Sequence, residues 1–149
     1  DMKFTSDEKF LVVATSRELL FTTFKNKELK SNRGNFGSFS ATVPVVLTVQ
    51  DGLLFSGMTN NAIYVWEKDT CTKTLVGHQA IVTALCPRSD RKGILSGDKL
   101  GTIIAWSDKL TFEKTFQLTT AVSALPMIVA LSMTGKSNIL VGTRGSDIL

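Results

Sequence analysis

Two stretches decide how this chain reads: Phe55-Ser56-Gly57-Met58-Thr59-Asn60-Asn61-Ala62-Ile63-Tyr64-Val65-Trp66 and Leu95-Ser96-Gly97-Asp98-Lys99-Leu100-Gly101-Thr102-Ile103-Ile104-Ala105-Trp106. Each runs from an apolar residue through Ser-Gly and a turn into β-formers that close on tryptophan, and the second begins 40 positions after the first. Strand alternation sends Tyr64 and Trp66, or Ile104 and Trp106, to one face, and Ile63 and Val65, or Ile103 and Ala105, to the other. Recurrence at one structural phase makes Trp66 and Trp106 core residues that fill the space between sheets.

The pattern extends outward from both hairpins. Before the second, residues 81–86 form a β-rich run ended by Pro87, and 88–93 are polar turn material; after it, 111–118 supply a further strand. Around the first, 45–49 lead through Gln50-Asp51-Gly52 into 53–56, Asn60-Asn61 makes the next turn, and 72–76 follow Trp66. Weaker copies lie at 10–24 and 139–149, and with Ala14, Gly57, Gly97 and Gly142 taken as equivalent the spacings are 43, 40 and 45. Four short strands repeating every ~40–45 residues are the mark of a propeller blade. The expected fold is therefore all-β, a β-propeller segment of about three to four four-stranded blades at 1–36, 37–74, 75–118 and 119–149. The first copy has no clear opening strand, and the last is truncated inside its third strand. Propellers close with ~4–8 blades, so the expectation is an incomplete propeller from a larger protein. In isolation it should self-associate or take its missing neighbours from another chain or from further residues.

With 43% hydrophobic and 20% charged residues the chain falls in the globular range. No apolar run approaches the ~20 residues of a membrane span, and Asp1-Met2-Lys3 lacks the core of a signal peptide, so a cytoplasmic protein without membrane contact is expected. Cys71 and Cys86 match neither a metal pair nor a disulfide framework and read as small buried side chains. The net charge of +4 is dispersed. Its densest groups, Lys25, Lys27, Lys30 and Arg33, then Arg88, Arg91 and Lys92, fall where loops are expected, either as a solvated rim or as a footprint for an acidic partner. His78, the only histidine, cannot belong to a multi-histidine metal site and has no acid or nucleophile at catalytic spacing, which gives it a structural role. Gly142-Thr143-Arg144-Gly145 lacks phosphate-loop spacing and reads as a hairpin. No basic groove interleaved with aromatics suggests nucleic acid, and no catalytic residue, cofactor site or metal site emerges.

Gly77-His78 ahead of a blade, with Trp106 closing it, resembles the WD-repeat family, whose repeat opens near Gly-His and closes on Trp-Asp. The resemblance implies a structural hydrogen-bond tetrad of His, strand Ser or Thr, turn Asp and Trp, mapping to His78, Ser96 and Trp106. The family's turn Asp is replaced by Leu100, with Asp98 two positions earlier as a substitute, and Glu67 and Ser107 follow the two tryptophans in place of Asp.

A narrower likeness rests on an ordered set of pieces: Gly34-Asn35-Phe36-Gly37, Asp51-Gly52-Leu53-Leu54-Phe55-Ser56-Gly57 with residues 61–66, and Ile139-Leu140-Val141-Gly142-Thr143-Arg144-Gly145. Together they resemble the echinoderm microtubule-associated protein-like (EMAP-like) family. That resemblance implies paired propellers in a long cytoskeletal chain, a surface that engages tubulin, and often a separate coiled coil, which this sequence lacks. The alternative is a general WD-repeat scaffold in a ciliary, trafficking or signalling assembly.

Overall fold

Two-residue turns set the local structure. Asp51 (φ 50°) and Gly52 (φ 79°) join Gln50 to its partner Leu53, and Asn26 (φ 52°) with Lys27 (φ 64°) joins Lys25 to Glu28. Positive φ at both central positions matches the right-handed twist of the flanking strands, so these sequences fold back as tight hairpins. Asn61, at φ 70°, supplies the same left-handed geometry before Ile63.

In a computed structural model, described for residues 1–119, 123–135 and 138–149, fourteen strands follow in chain order with no helix among the described residues. The first sheet contains β1 (Met2–Phe4), β2 (Leu11–Ala14), β3 (Leu19–Lys25) and β4 (Glu28–Arg33). The second contains β5 (Pro44–Gln50), β6 (Leu53–Met58), β7 (Ile63–Glu67) and β8 (Thr70–Leu75), and the third β9 (Val82–Pro87), β10 (Ile94–Asp98), β11 (Thr102–Trp106) and β12 (Phe112–Gln117). β13 (Ile128–Thr134) and β14 (Asn138–Thr143) form the fourth. Every sheet is an antiparallel meander with neighbours in sequence order. The fold is all-β, a propeller segment of four-stranded sheets ending in a two-stranded one.

The expected absence of an opening strand in the first copy is corrected: β1 pairs Met2 with Val13 and Phe4 with Leu11. Three exposed residues carry no periodic signal, and β1 is held by its backbone ladder. At the other end, Gly142 bridges Ile148, and Val141 and Leu149 exchange both backbone hydrogen bonds at 3.0 Å. The expected fourth unit, 119–149, includes residues 120–122 and 136–137, which lie outside the described residues.

Packing is sheet on sheet. Val12, Leu19 and Phe21 of the first sheet meet Leu47, Leu54, Tyr64 and Trp66 of the second. The opposite face of the second, with Phe55, Ile63, Val65 and Leu75, meets Val82, Leu85, Ile94, Ile104 and Trp106 of the third. Alternation in β7 thus feeds two separate cores. The third sheet's other face, Ala84 and Ile103, packs on Ile128 and Val141 of the fourth. Close approach depends on glycine: a Cβ at Gly57 would sit 2.7 Å from Val82 of the next sheet, and one at Gly97 would sit 2.8 Å from Ile128. Each glycine is the seat for a branched side chain from its neighbour.

Candidate functional site

The most polar buried cluster lies in the third sheet. Gly77 brings the chain against the indole, where an added Cβ would lie 3.2 Å from Trp106, and so turns His78 inward. His78 Nδ1 is 2.9 Å from Asp98 Oδ2, His78 Nε2 is 2.7 Å from Ser96 Oγ, and Trp106 Nε1–H donates to Ser96 Oγ at 2.8 Å. Asp98 Oδ1 accepts the backbone N–H groups of Leu100 and Thr102, both at 2.9 Å. A neutral histidine protonated on Nδ1 satisfies the whole relay: Trp106 donates to Ser96, Ser96 to His78, and His78 to Asp98. Burial alone would raise the Asp98 carboxyl pKa; the hydrogen bond from His78 and those from the backbone outweigh it and hold the group below the usual carboxylate range.

Asp98, the substitute, is therefore the fourth member, and Leu100 sits exposed in the turn. The structure thus brings Ser96, His78 and Asp98, the residues to which the WD-repeat resemblance mapped the tetrad, into one hydrogen-bonded row. Its connectivity is that of a hydrolytic triad, yet its surroundings are not. Ser96 has no exposed surface, and its oxygen is held between the indole N–H and the imidazole. Attack on a substrate needs an accessible oxygen and donors for the developing oxyanion. This row is a strut.

Trp66 is held differently. Its Nε1–H donates to Ser56 Oγ at 2.8 Å, but Ser56 then meets the thioether of Met58 at 3.0 Å, with no histidine. Aromatic rings fill the remaining space. Phe36 stands edge-on to Trp66 at 5.2 Å and to Tyr64 at 5.8 Å, and Phe21 lies 6.0 Å from Trp66. Tyr64 donates its hydroxyl to the Ser40 carbonyl at 2.8 Å. At the fourth sheet, Ser123 ahead of β13 and Thr143 at the end of β14, 45 positions after His78 and Asp98 respectively, pair hydroxyls at 3.1 Å, and Thr143 donates to Asp147 at 3.1 Å. The spacing from Gly97 to Gly142 could have located this pair.

The basic groups separate. Lys25 ends β3, Lys27 occupies the turn, and Lys30 and Arg33 lie on β4, all exposed. Alternation puts Arg33 on the opposite face from Lys30, and Arg33 pairs with Glu18 at 2.6 Å. Arg88 does not face a partner: its side chain is 6% exposed, with contacts of 2.6 Å to both Asp90 and Glu113. Arg91 reaches the same two carboxylates at 3.1 Å, while Lys92 stays exposed. The hydrogen bond to Arg88 holds the Asp90 carboxyl down to about 2. These ion pairs clasp the β9–β10 loop to β12. Both cysteines are free and buried, and burial pushes the Cys86 thiol up to about 11, away from the reactive thiolate.

Two of the grooves on the described surface border the second sheet. One, of about 420 Å³, is bordered by Phe39, Asn60, Tyr64 and Val76. The other, of about 380 Å³, runs between the first two sheets past Arg17, Arg33, Phe36 and Val43.

No family model matches this chain. Among solved structures it is similar to U3-55K, with a TM-score of 0.78 and 15% identity over 95% of this chain and 44% of that one. The WD40 β-propeller domain of Doa1 gives 0.76 and 19% over 98% of this chain and 48% of its own length. The computationally designed Ika4 protein gives 0.70 and 20% over 99% of this chain and 86% of its own. The chain thus spans less than half of the U3-55K and Doa1 structures, and its architecture is that of WD40 β-propellers.

Proposed function

We propose that this chain is a non-enzymatic docking segment of a cytoplasmic, EMAP-like cytoskeletal protein, and that the partner it engages is tubulin. The observation that carries this reading is the cationic outer edge of the first sheet. Lys25, Lys27 and Lys30 are exposed, and among the described residues none of them has a carboxylate within ion-pair distance. Unpaired lysines on a rigid two-strand edge offer an acidic surface attraction and steering that weaken with salt. The adjoining groove with Arg17 and Phe36 adds a mixed basic and apolar floor. The buried Ser96–His78–Asp98 row supports a scaffold over an enzyme, because its one nucleophile-like oxygen is sealed.

Co-sedimentation with microtubules tests the reading. Binding should be present at low ionic strength, fall with added salt or polyglutamate, and drop about tenfold when Lys25, Lys27 and Lys30 are replaced together by Gln, since each exposed charge contributes up to about 1 kcal/mol. Absence of binding at low salt removes tubulin as the partner. A second reading, a scaffold for an apolar peptide, draws on the groove beside Phe39 and Tyr64. It would appear as salt-insensitive peptide binding lost on Phe39→Ala.

A further inference from the structure

The face that bears the tryptophan is covered from within in the second sheet and left open in the third. In the second sheet residues 34–43, which join β4 to β5, carry two rings onto that face: Phe36 stands edge-on to Tyr64 at 5.8 Å and Phe39 at 6.3 Å, and the Ser40 carbonyl accepts the Tyr64 hydroxyl at 2.8 Å. In the third sheet the corresponding connection, β8 to β9, is the shorter run 76–81 and carries no aromatic residue. Strand register fixes the equivalence. Tyr64 pairs with Thr74 as Ile104 pairs with Thr115, and Trp66 with Cys71 as Trp106 with Phe112. Gly34 and Gly77 abut the two indoles, and Gln79 stands two residues after Gly77 as Phe36 stands two after Gly34. Ile104 thus replaces the tyrosine and Gln79 the phenylalanine. What remains is a groove of about 390 Å³ lined by Gln79, Leu100, Thr102, Ile104, Phe112 and Thr115.

We propose that this groove seats an aromatic side chain from an uncharged peptide segment of another protein, which takes there the place that Phe36 and Phe39 take on the second sheet. The groove lies on the face that the third sheet turns to the second, and both of those sheets are complete, with four strands each. Its walls carry apolar surface that nothing in the chain covers: Leu100 is 58% exposed and Phe112 57%, where the second sheet has Asn60 and the buried Cys71. A ring laid over Ile104 meets Phe112, and aromatic pairs favour the edge-on packing already seen between Phe36 and Tyr64. Charge complementarity selects the same occupant. No charged side chain lines the groove, so an ionised side chain carried into it would lose water without gaining a partner. The exposed Gln79 amide and the Thr115 hydroxyl supply donors and acceptors for an extended backbone. The site uses none of the lysines of the first sheet and does not depend on the partner proposed above.

The probe is a synthetic peptide with blocked ends and the sequence of residues 34–43, which holds two phenylalanines and no charge. Titrated to millimolar concentration into the full chain, it should shift the nuclear magnetic resonance signals of the Ile104 methyl groups and the Gln79 side-chain amide. The same peptide with serine at both phenylalanines should bind at least about tenfold more weakly, the loss that follows removal of an aromatic anchor. Gln79→Phe, which supplies the ring from within, should abolish binding with a melt no lower than that of the wild type. Phe112→Ser, at an exposed position, tests the site independently and should weaken binding about tenfold. No shifts at millimolar peptide overturn the proposal. So does an affinity that survives both substitutions, or shifts confined to Phe39 and Tyr64, which would put the peptide in the second-sheet groove. Replacing Lys25, Lys27 and Lys30 by Gln should leave the peptide affinity unchanged, whatever it does to tubulin; a parallel loss would move the peptide to the first sheet and overturn the assignment.

Discussion

The second and third sheets hold the same tryptophan in the same place by opposite chemistry. In both, the indole N–H donates to a strand serine at 2.8 Å and a glycine, Gly34 or Gly77, sits against the ring. Beyond that serine they diverge. The third sheet continues into His78 and the ionised Asp98, whereas the second continues into Met58 and closes with Phe36 and Tyr64. The comparison teaches that the blade requires a filled, fully hydrogen-bonded space around the indole, and that a polar relay or an aromatic cluster can each supply it. The polar version ties stability to pH and to every member being present. The aromatic version depends on shape.

The largest effect comes from forcing one solution into the other's place. Met58 is fully buried at the position equivalent to Asp98, and Met58→Asp would bury a carboxylate with no histidine to donate to it, costing about 5 kcal/mol or more. Chemical unfolding should find this variant largely unfolded; a melt like that of the wild type would erase the distinction between the sheets. Removing His78 comes next. His78→Leu strands the Asp98 carboxylate and should cost about 3–5 kcal/mol, read as a shifted urea midpoint. The same relay sets an acid dependence. Because the folded Asp98 pKa lies below its unfolded value, the folded state binds fewer protons, and the contribution is present above about pH 4 and lost as pH falls through the lowered folded value. Asp98→Asn should flatten the acid limb of stability; an unchanged acid limb would assign it to other carboxylates, Asp90 first. The smallest effect separates the serines. Ser96→Ala leaves an indole N–H and an imidazole nitrogen without partners, Ser56→Ala only the indole N–H, so about 3 against about 1.5 kcal/mol is expected, and equal costs would show that Ser96 is no hub.

Much of this was legible in the residues. The alternation Ile63-Tyr64-Val65-Trp66 assigned each side chain to the core where the structure finds it, because a period of two leaves no third choice. The relay was legible in three of its members. For the fourth, the family pattern pointed to the turn at Leu100, but strand alternation places Asp98 on the face of Ser96, and the register shift beside it leaves the extra residue, Thr83, on β9. Arg88 was read as a surface cation because its second carboxylate, Glu113, is 25 residues away and reaches it only across the sheet. Phe36, the ring beside the indole in the second sheet, carries no such signal, since an edge-on contact from the β4–β5 connection has no sequence period.

The paired glycines Gly57 and Gly97 have a mechanical consequence. A single methyl group at either would act as a wedge driven into the stack, since 2.7–2.8 Å leaves no room beside Val82 or Ile128. The two sheets would splay about that point, and the curvature of the whole arc would change with them. The smallest side chain in each strand is therefore what sets the radius on which successive sheets are laid.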